Sequence, residues 1–251
     1  MTTQRGVAMP NRNLTIVPGS KSDRDTCAEV LAQAFADDEY TLGLIPARDH
    51  QRLPTLFRRI ITEVITANGY VYLARDTTSG QALGCALWGV PNEHVTLFQQ
   101  LKGLPTYLSI FGKRLHHALL TQNEIRSHLP TIPHWYLKAV GTIPSARGRG
   151  AGSALIQQGL HHADKAGQAA YLESSKISNI PFYEKFGFNQ ISTVPGRGTI
   201  DSVGMWRPAS TGTRRSTHRC ETTSNPSIEA ASLSSLRGST RTRIAPDNSA
   251  K

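Results

Sequence analysis

Residues 147–152 read Arg-Gly-Arg-Gly-Ala-Gly, between an apolar run from Trp135 to Ile143 and a helical pattern from Ser153 to Lys165. That order predicts a strand, a tight loop and a helix start. Glycine lets a backbone come close to an oxyanion, the first N–H groups of a helix have no intrahelical partners, and the helix dipole adds partial positive charge at the same point. Arg147 and Arg149 contribute two permanent cations. The stretch is therefore expected to hold a phosphate or pyrophosphate, and the question becomes which carrier brings it.

A P-loop requires GxxxxGK[ST], and neither Gly-Lys-Ser nor Gly-Lys-Thr occurs here. A dinucleotide loop requires GxGxxG or GxGxxA, whereas Gly148 and Gly150 are followed at the third site by Ser153. Glu173 keeps that reading in play, because it closes the next expected strand about where a ribose-binding acid would stand. The motif nevertheless lies late in the chain, with no further strand–helix units behind it to build a doubly wound sheet.

Residues 1–12 are polar and carry no period, so a loose leader is expected there. Leu14 to Val17 alternates as a short strand. Cys27, Val30, Leu31, Ala34 and Phe35 then recur at helical spacing, behind possible caps at Ser20–Asp23 and ending near Asp37-Asp38-Glu39. A second helix is expected over about 51–68, with Leu53, Leu56, Phe57, Ile60, Ile61 and Val64 on one face. Gly69–Ala74 and Ala82–Trp88 read as strands of a hairpin whose loop is Asp76–Gly80. From 93 to 122 the pattern is helical again, with an interruption expected at Pro105. The basic face of its second part (Lys113, Arg114, His116, His117) is either solvated surface or one wall of a substrate pocket.

After the glycine loop and its helix, stopped near Gly167, come a strand over Ala169–Glu173 and a short helix between Ser178 and Gly187. A closing hairpin of Phe188–Thr193 and Ser202–Trp206 follows. Residues 209–251 are rich in Ser, Thr and Arg and poor in apolar residues, so a disordered basic tail is expected. One domain over 13–208 results.

The formal charge is +10, of which the seven Lys/Arg and three Asp/Glu of 209–251 leave +6 for the domain. A basic body suits a polyphosphate ligand, and charge alone would also suit nucleic acid. The three cysteines, Cys27, Cys85 and Cys220, form no CxxC pair, which favours incidental thiols. No apolar run approaches the length of a membrane span, and the start Met-Thr-Thr-Gln-Arg carries no apolar stretch, so a cytoplasmic protein is expected. His116-His117 and His161-His162 are adjacent pairs, which point about 100° apart on a helix; no metal site and a surface position are expected for them.

Arg147-x-x-Gly150-x-Gly152 after a strand, followed by Asn179-x-x-x-Tyr183-x-x-x-Gly187-Phe188, resembles the GNAT superfamily of N-acetyltransferases. The resemblance extends over about residues 13–207 and is densest from 134 to 190. It implies an α+β fold with a mixed, strongly bent sheet and helices on both faces. It also implies acetyl-CoA as co-substrate, without a metal, and an amine acceptor, with no membrane and no nucleic acid as partner, in a monomer or homodimer.

The resemblance places the pyrophosphate on the backbone of Arg147, Gly148, Arg149, Gly150, Ala151 and Gly152. The pantetheine arm would lie along Val140, Gly141 and Thr142, with Asn179 touching it and the Thr142 N–H near the oxyanion. Tyr183 becomes the proton donor to the departing thiolate and Glu173 the base for the amine. Asp37 and Asp38 are candidates to receive a cationic acceptor. A small amine, as in antibiotic-modifying relatives, is the expected acceptor; a peptide amine, or a sensing or nucleic-acid-binding module without turnover, are the alternatives. Thr142, Ala146 and Ala151 stand where relatives usually carry larger or β-branched aliphatics, which affects packing. Glu39 stands where they often carry proline, in the segment that shapes the acceptor pocket.

Overall fold

The computed structural model describes residues 13–93 and 97–210, with only the backbone at 97–102. The expected leader, the tail from 211 onward and Cys220 lie outside the described residues. The chain runs β1 (Leu14–Pro18), α1 (Arg24–Ala34), α2 (Glu39–Leu44), α3 (Leu53–Thr66), β2 (Tyr70–Asp76) and β3 (Ala82–Gly89). It continues through α4 (Leu97–Phe111), α5 (Leu115–His128), β4 (His134–Thr142), α6 (Ala151–Lys165), β5 (Ala169–Ser174), α7 (Ile180–Glu184), β6 (Asn189–Val194) and β7 (Ser202–Arg207). The strands form one sheet in the order β1-β2-β3-β4-β5-β7-β6, antiparallel except for the β4–β5 pair.

Strand β3 shows why two layers flank this sheet. Leu83, Cys85 and Leu87 alternate with Ala86 and Trp88, and both sets are buried. The first set joins the core under α1 and α3, the second the core under α6 and α7. Side chains of a strand alternate between faces, so a strand apolar at every position needs cover on both. Helix α6 approaches so closely that a Cβ on Gly159 would stand 2.1 Å from the indole of Trp88. Cys27 and Cys85 are both free and buried, at the contact of α1 with β3.

Four sequence expectations need correction. Helix α4 runs through Pro105 and breaks instead at Gly112, whose φ of 50° has no place in a right-handed helix. The first helix stops at Ala34, because Asp38 caps a separate short helix, α2, that the pattern did not predict. Ser178 lies inside a 3₁₀ turn, Ile177–Asn179, and does not cap α7. His162 is only half-exposed: its ring packs with Tyr70, Tyr72 and Trp135 and hydrogen-bonds the Tyr72 hydroxyl at 2.6 Å. The basic face of α5 serves neither expected role alone. Arg114 donates to the Gly198 carbonyl at 2.7 Å and so holds the β6–β7 loop, while Leu115 and Ala118 on the same helix line the cleft described below.

Gly159→Ala tests the α6–β3 contact. With Trp88 fully buried and unable to retreat, the added methyl is expected to cost about 1–3 kcal/mol, read as a lowered melting temperature.

Candidate active site

Strand β4 pairs with β3 from Tyr136 to Thr142, with one irregularity between Leu87 and Trp88, but with β5 only from His134 to Leu137. Beyond Leu137 the two parallel strands part. The Ile143 N–H donates to Leu83 O at 2.9 Å, toward β3. Backbone groups alternate in direction along a strand, so Gly141 also faces β3, while Val140 and Thr142 present their N–H and C=O to the parted side. Gly141 serves packing instead: a Cβ there would lie 2.4 Å from that of Ala34. A cleft of about 1450 Å³ follows the parting, and Val140, Thr142, Arg147, Asn179, Glu173 and Tyr183 all border it.

The glycine loop lies at one end of this cleft. Gly148 and Gly150 have φ of 77° and 84°, which a side chain would strain, and a Cβ on either would meet nothing within 4 Å. Gly150 is the N-terminal cap of α6, so the N–H groups of Ala151 and Gly152 fall in the first turn, without intrahelical acceptors. The N–H groups of Arg147 and Arg149 are engaged in turns with Pro144 O and Ala146 O. The two arginine side chains diverge. Arg149 bonds Asp76 Oδ2 at 2.8 Å on the β2–β3 hairpin, where backbone N–H donors and Arg149 hold the Asp76 carboxyl down at about 2. Arg147 stays at the cleft, 3.8 Å from Asp37, which also pairs with Lys176 at 3.1 Å.

Tyr183 and Glu173 approach the parting from opposite faces. Tyr183 belongs to the α6–α7 core, set edge-on to Phe188 and beside Phe182; burial, with the Asp38 charge adding, pushes its hydroxyl up to about 12. Leu172 faces that same core, so Glu173 points to the other side, where burial pushes its carboxyl up to about 7. Tyr136 donates a hydrogen bond to Glu173 Oε2, Oε1 is buried, and the Tyr171 hydroxyl also lowers the carboxyl's pKa. Asn179 is exposed at the turn before α7.

Of the two candidate acids for a cationic acceptor, only Asp37 is open to solvent. Asp38 is 3% exposed and fully employed. Its Oδ2 accepts from the Thr41 N–H at 3.0 Å and hydroxyl at 2.7 Å, and its Oδ1 from the Ser175 hydroxyl at 2.6 Å. It therefore caps α2 and ties it to the end of β5. On the far side, Phe35, Phe57, Ile60, Tyr107, Phe111 and Leu115 give the cleft an apolar, largely aromatic wall. Among the described residues no group of three or more His, Cys, Asp or Glu is placed to hold a metal, and no helix is long and apolar enough to cross a membrane.

Comparison with known proteins agrees with this geometry. The Acetyltransferase (GNAT) family profile matches residues 35–188. A crystal structure described as histone acetyltransferase HPA2 and related acetyltransferase, from Corynebacterium glutamicum, superposes with a TM-score of 0.63 at 31% identity, covering 80% of this chain and 99% of that one. An uncharacterized N-acetyltransferase of Schizosaccharomyces pombe is 28% identical over 178 residues, 66% of this chain and 70% of the relative. A mosquito arylalkylamine N-acetyltransferase like 5b shares the fold, with a TM-score of 0.52 at 14% identity over 77% of this chain and 98% of its own. The chain belongs to the GNAT acetyltransferase family, and it is an N-acetyltransferase.

The sequence reading missed the surroundings of Glu173, namely Tyr40, Tyr136 and Tyr171, together with Ser175 and Lys176 at the cleft. A signal was present: Tyr171 and Glu173 stand two apart on one strand and so share a face. Asp38→Ala is expected to lower stability by about 1–2 kcal/mol through loss of the α2 cap, measured by thermal or denaturant unfolding.

Proposed function

We propose that this protein transfers the acetyl group of acetyl-CoA directly to the amine of a small molecule. The observation that carries the reading is the parting of β4 from β5, with Glu173 on one face of the gap and Tyr183 on the other. The residues present suit the co-substrate. Left-handed glycines with open space outside them, the first N–H groups of α6 and Arg147 form a cradle for the pyrophosphate. The edge groups of Val140 and Thr142 are free to pair with an extended amide-bearing arm as an added strand would. Asn179 stands at the mouth. When bound, acetyl-CoA supplies an activated acyl group.

The chain's own residues then manage protons. An amine enters as a cation and must lose a proton before it attacks; Glu173, with a carboxyl near neutrality, is the acceptor. Tyr183 Oη remains protonated across the physiological range and is placed to protonate the departing sulfur. The Thr142 N–H, facing the gap, is the donor aimed at the developing oxyanion.

The acceptor we favour is an amine bearing an aromatic or apolar group, because Phe57, Ile60, Tyr107 and Phe111 line the same cleft as Glu173. Trp135–Pro144, Leu172–Ser175 and Asn179–Phe188 are similar to puromycin N-acetyltransferase, which makes an aminonucleoside antibiotic the first acceptor to test. A second reading, a peptide amine, is favoured by the description of the C. glutamicum structure as a histone acetyltransferase. A screen with acetyl-CoA and free-thiol detection, run over aminonucleosides, arylalkylamines and lysine-containing peptides, separates the two. Turnover confined to peptides would overturn the small-molecule reading.

Two variants test the machinery. Gly150→Asp sets a side chain and a negative charge into the cradle, and calorimetry is expected to find coenzyme A binding lost in a folded protein. Tyr183→Phe keeps the packing against Phe188 and removes the proton. Single-turnover transfer is expected to fall about 10²–10⁴-fold with coenzyme A affinity unchanged. An undiminished rate would leave Tyr183 as a packing residue.

A further inference from the structure

Behind Glu173 lies a layer of hydroxyls that the transfer step itself does not use. Tyr136 on β4 is opposite Tyr171 on β5 in the parallel register. Tyr40 on α2, Ser192 on β6 and Ser202 on β7 complete the layer. The Tyr40, Tyr171, Ser192 and Ser202 oxygens and Glu173 Oε1 are all buried with no partner in good hydrogen-bond geometry, Tyr171 leaning on Glu173 and Ser192, and Tyr40 on Ser202, whereas the Tyr136 hydroxyl is committed to Glu173 Oε2. Five poorly satisfied buried polar atoms in one place are uncommon in a native fold. Space for the layer is set by Gly204, which is opposite Glu173 on β7: a Cβ there would stand 2.4 Å from Ser192 Oγ and 2.7 Å from the Tyr171 hydroxyl.

We propose that Tyr136 is a positioning residue for the acetyl transfer, holding Glu173 by Oε2 so that the carboxylate is oriented and ionised to take the amine proton. The proposal rests on the reading of Glu173 as the proton acceptor. One carboxylate oxygen accepts from a hydroxyl that burial and the Glu173 charge keep protonated, and that bond favours the ionised carboxylate against the burial that opposes it. The other groups that face Glu173 are few. Lys138 on β4 favours the ionised form and is itself paired with Glu93 at 2.6 Å; Tyr171 on β5 is a second, weaker donor to the carboxylate, and Tyr40 on α2 and Ser192 and Ser202 on β6 and β7 carry no charge at neutral pH. Asp38 at the start of α2 is spent on Thr41 and Ser175. Tyr136 is therefore the stronger of the two neutral donors that favour an ionised Glu173.

The sign follows directly. Removing a donor to the charged form raises the carboxyl pKa, so the acid limb of the kcat/KM profile moves to higher pH. In wild-type enzyme that limb is expected near pH 7 and should be absent in Glu173→Gln. In Tyr136→Phe it is expected about one to two pH units higher, with the rate recovering toward wild type on the alkaline plateau and coenzyme A affinity by calorimetry unchanged. Should Tyr136→Phe fold poorly, 3-fluorotyrosine at 136 keeps the shape and strengthens the donor, and the limb should move to lower pH. A limb lost in Glu173→Gln but unmoved in both Tyr136 variants overturns the positioning role and leaves Glu173 as the acceptor. A limb that persists in Glu173→Gln overturns both.

Discussion

The structure depends on a strand that changes partners along its length. β4 pairs with β5 over His134–Leu137 and with β3 over Tyr136–Thr142, so it is held on both edges only at Tyr136 and Leu137 and past Leu137 by β3 alone. A half-paired strand exposes a row of N–H and C=O groups, and such an edge normally invites association or must be covered. Here the edge faces inward, onto a cleft closed by α7 on one face and by α2 on the other, so nothing but a ligand can complete it. The cost of leaving it open is met by the β3 side, where Cys85, Leu87, Ala139 and Ile143 lock β4 into the core with α1 and α3.

That same parting explains why Glu173 and Tyr183, the two groups of the proposed proton transfers, differ in environment while sharing a cleft. The alternation of β5 sends Leu172 into the α6–α7 core and Glu173 to the opposite layer, while Tyr183 rises from the α6–α7 side with its ring fixed by Phe182 and Phe188. Burial acts on both and in the same direction, raising each pKa, but the consequences are opposite. A carboxyl raised to about 7 suits the base of the proposed reaction, and a phenol raised to about 12 suits its proton donor. Sharing one dry region allows this only because their ordinary values start far apart.

Much of this was legible in the residues. The glycine spacing gave the loop, and Gly148 and Gly150 have the positive φ that only glycine takes without strain. Short apolar or alternating runs between turn residues located the seven described strands, and the paired motifs named the family. What was not legible belongs to three dimensions. Arg149 looked like Arg147 in the sequence, yet Asp76, 73 residues away, draws it out of the loop. Pro105 looked like the stronger break, yet a proline removes one backbone hydrogen bond while the left-handed turn at Gly112 ends the helix. His162 looked like a surface residue because its helical period is polar; the aromatic rings that receive it come from β2 and β4.

Asp38 shows how the acceptor side is tied to the rest. Its two oxygens reach Thr41 on its own helix and Ser175 at the end of β5, so one carboxylate fixes both the short helix that carries Tyr40 and the strand that carries Glu173. Thr199, from the β6–β7 loop, donates to the Tyr40 carbonyl at 2.6 Å and holds α2 from the other end, in the space left by Gly43. The Asp38 cap, the long-range bonds to Ser175 and Thr199, and Leu42 and Leu44 packed on the core together place Tyr40 against the hydroxyl layer. A six-residue helix is too short to stand by its own backbone bonds. The proposed acceptor side is consequently a short segment fixed by side-chain contacts, separate from the β3–β4 pairing that holds Val140 and Thr142 at the gap.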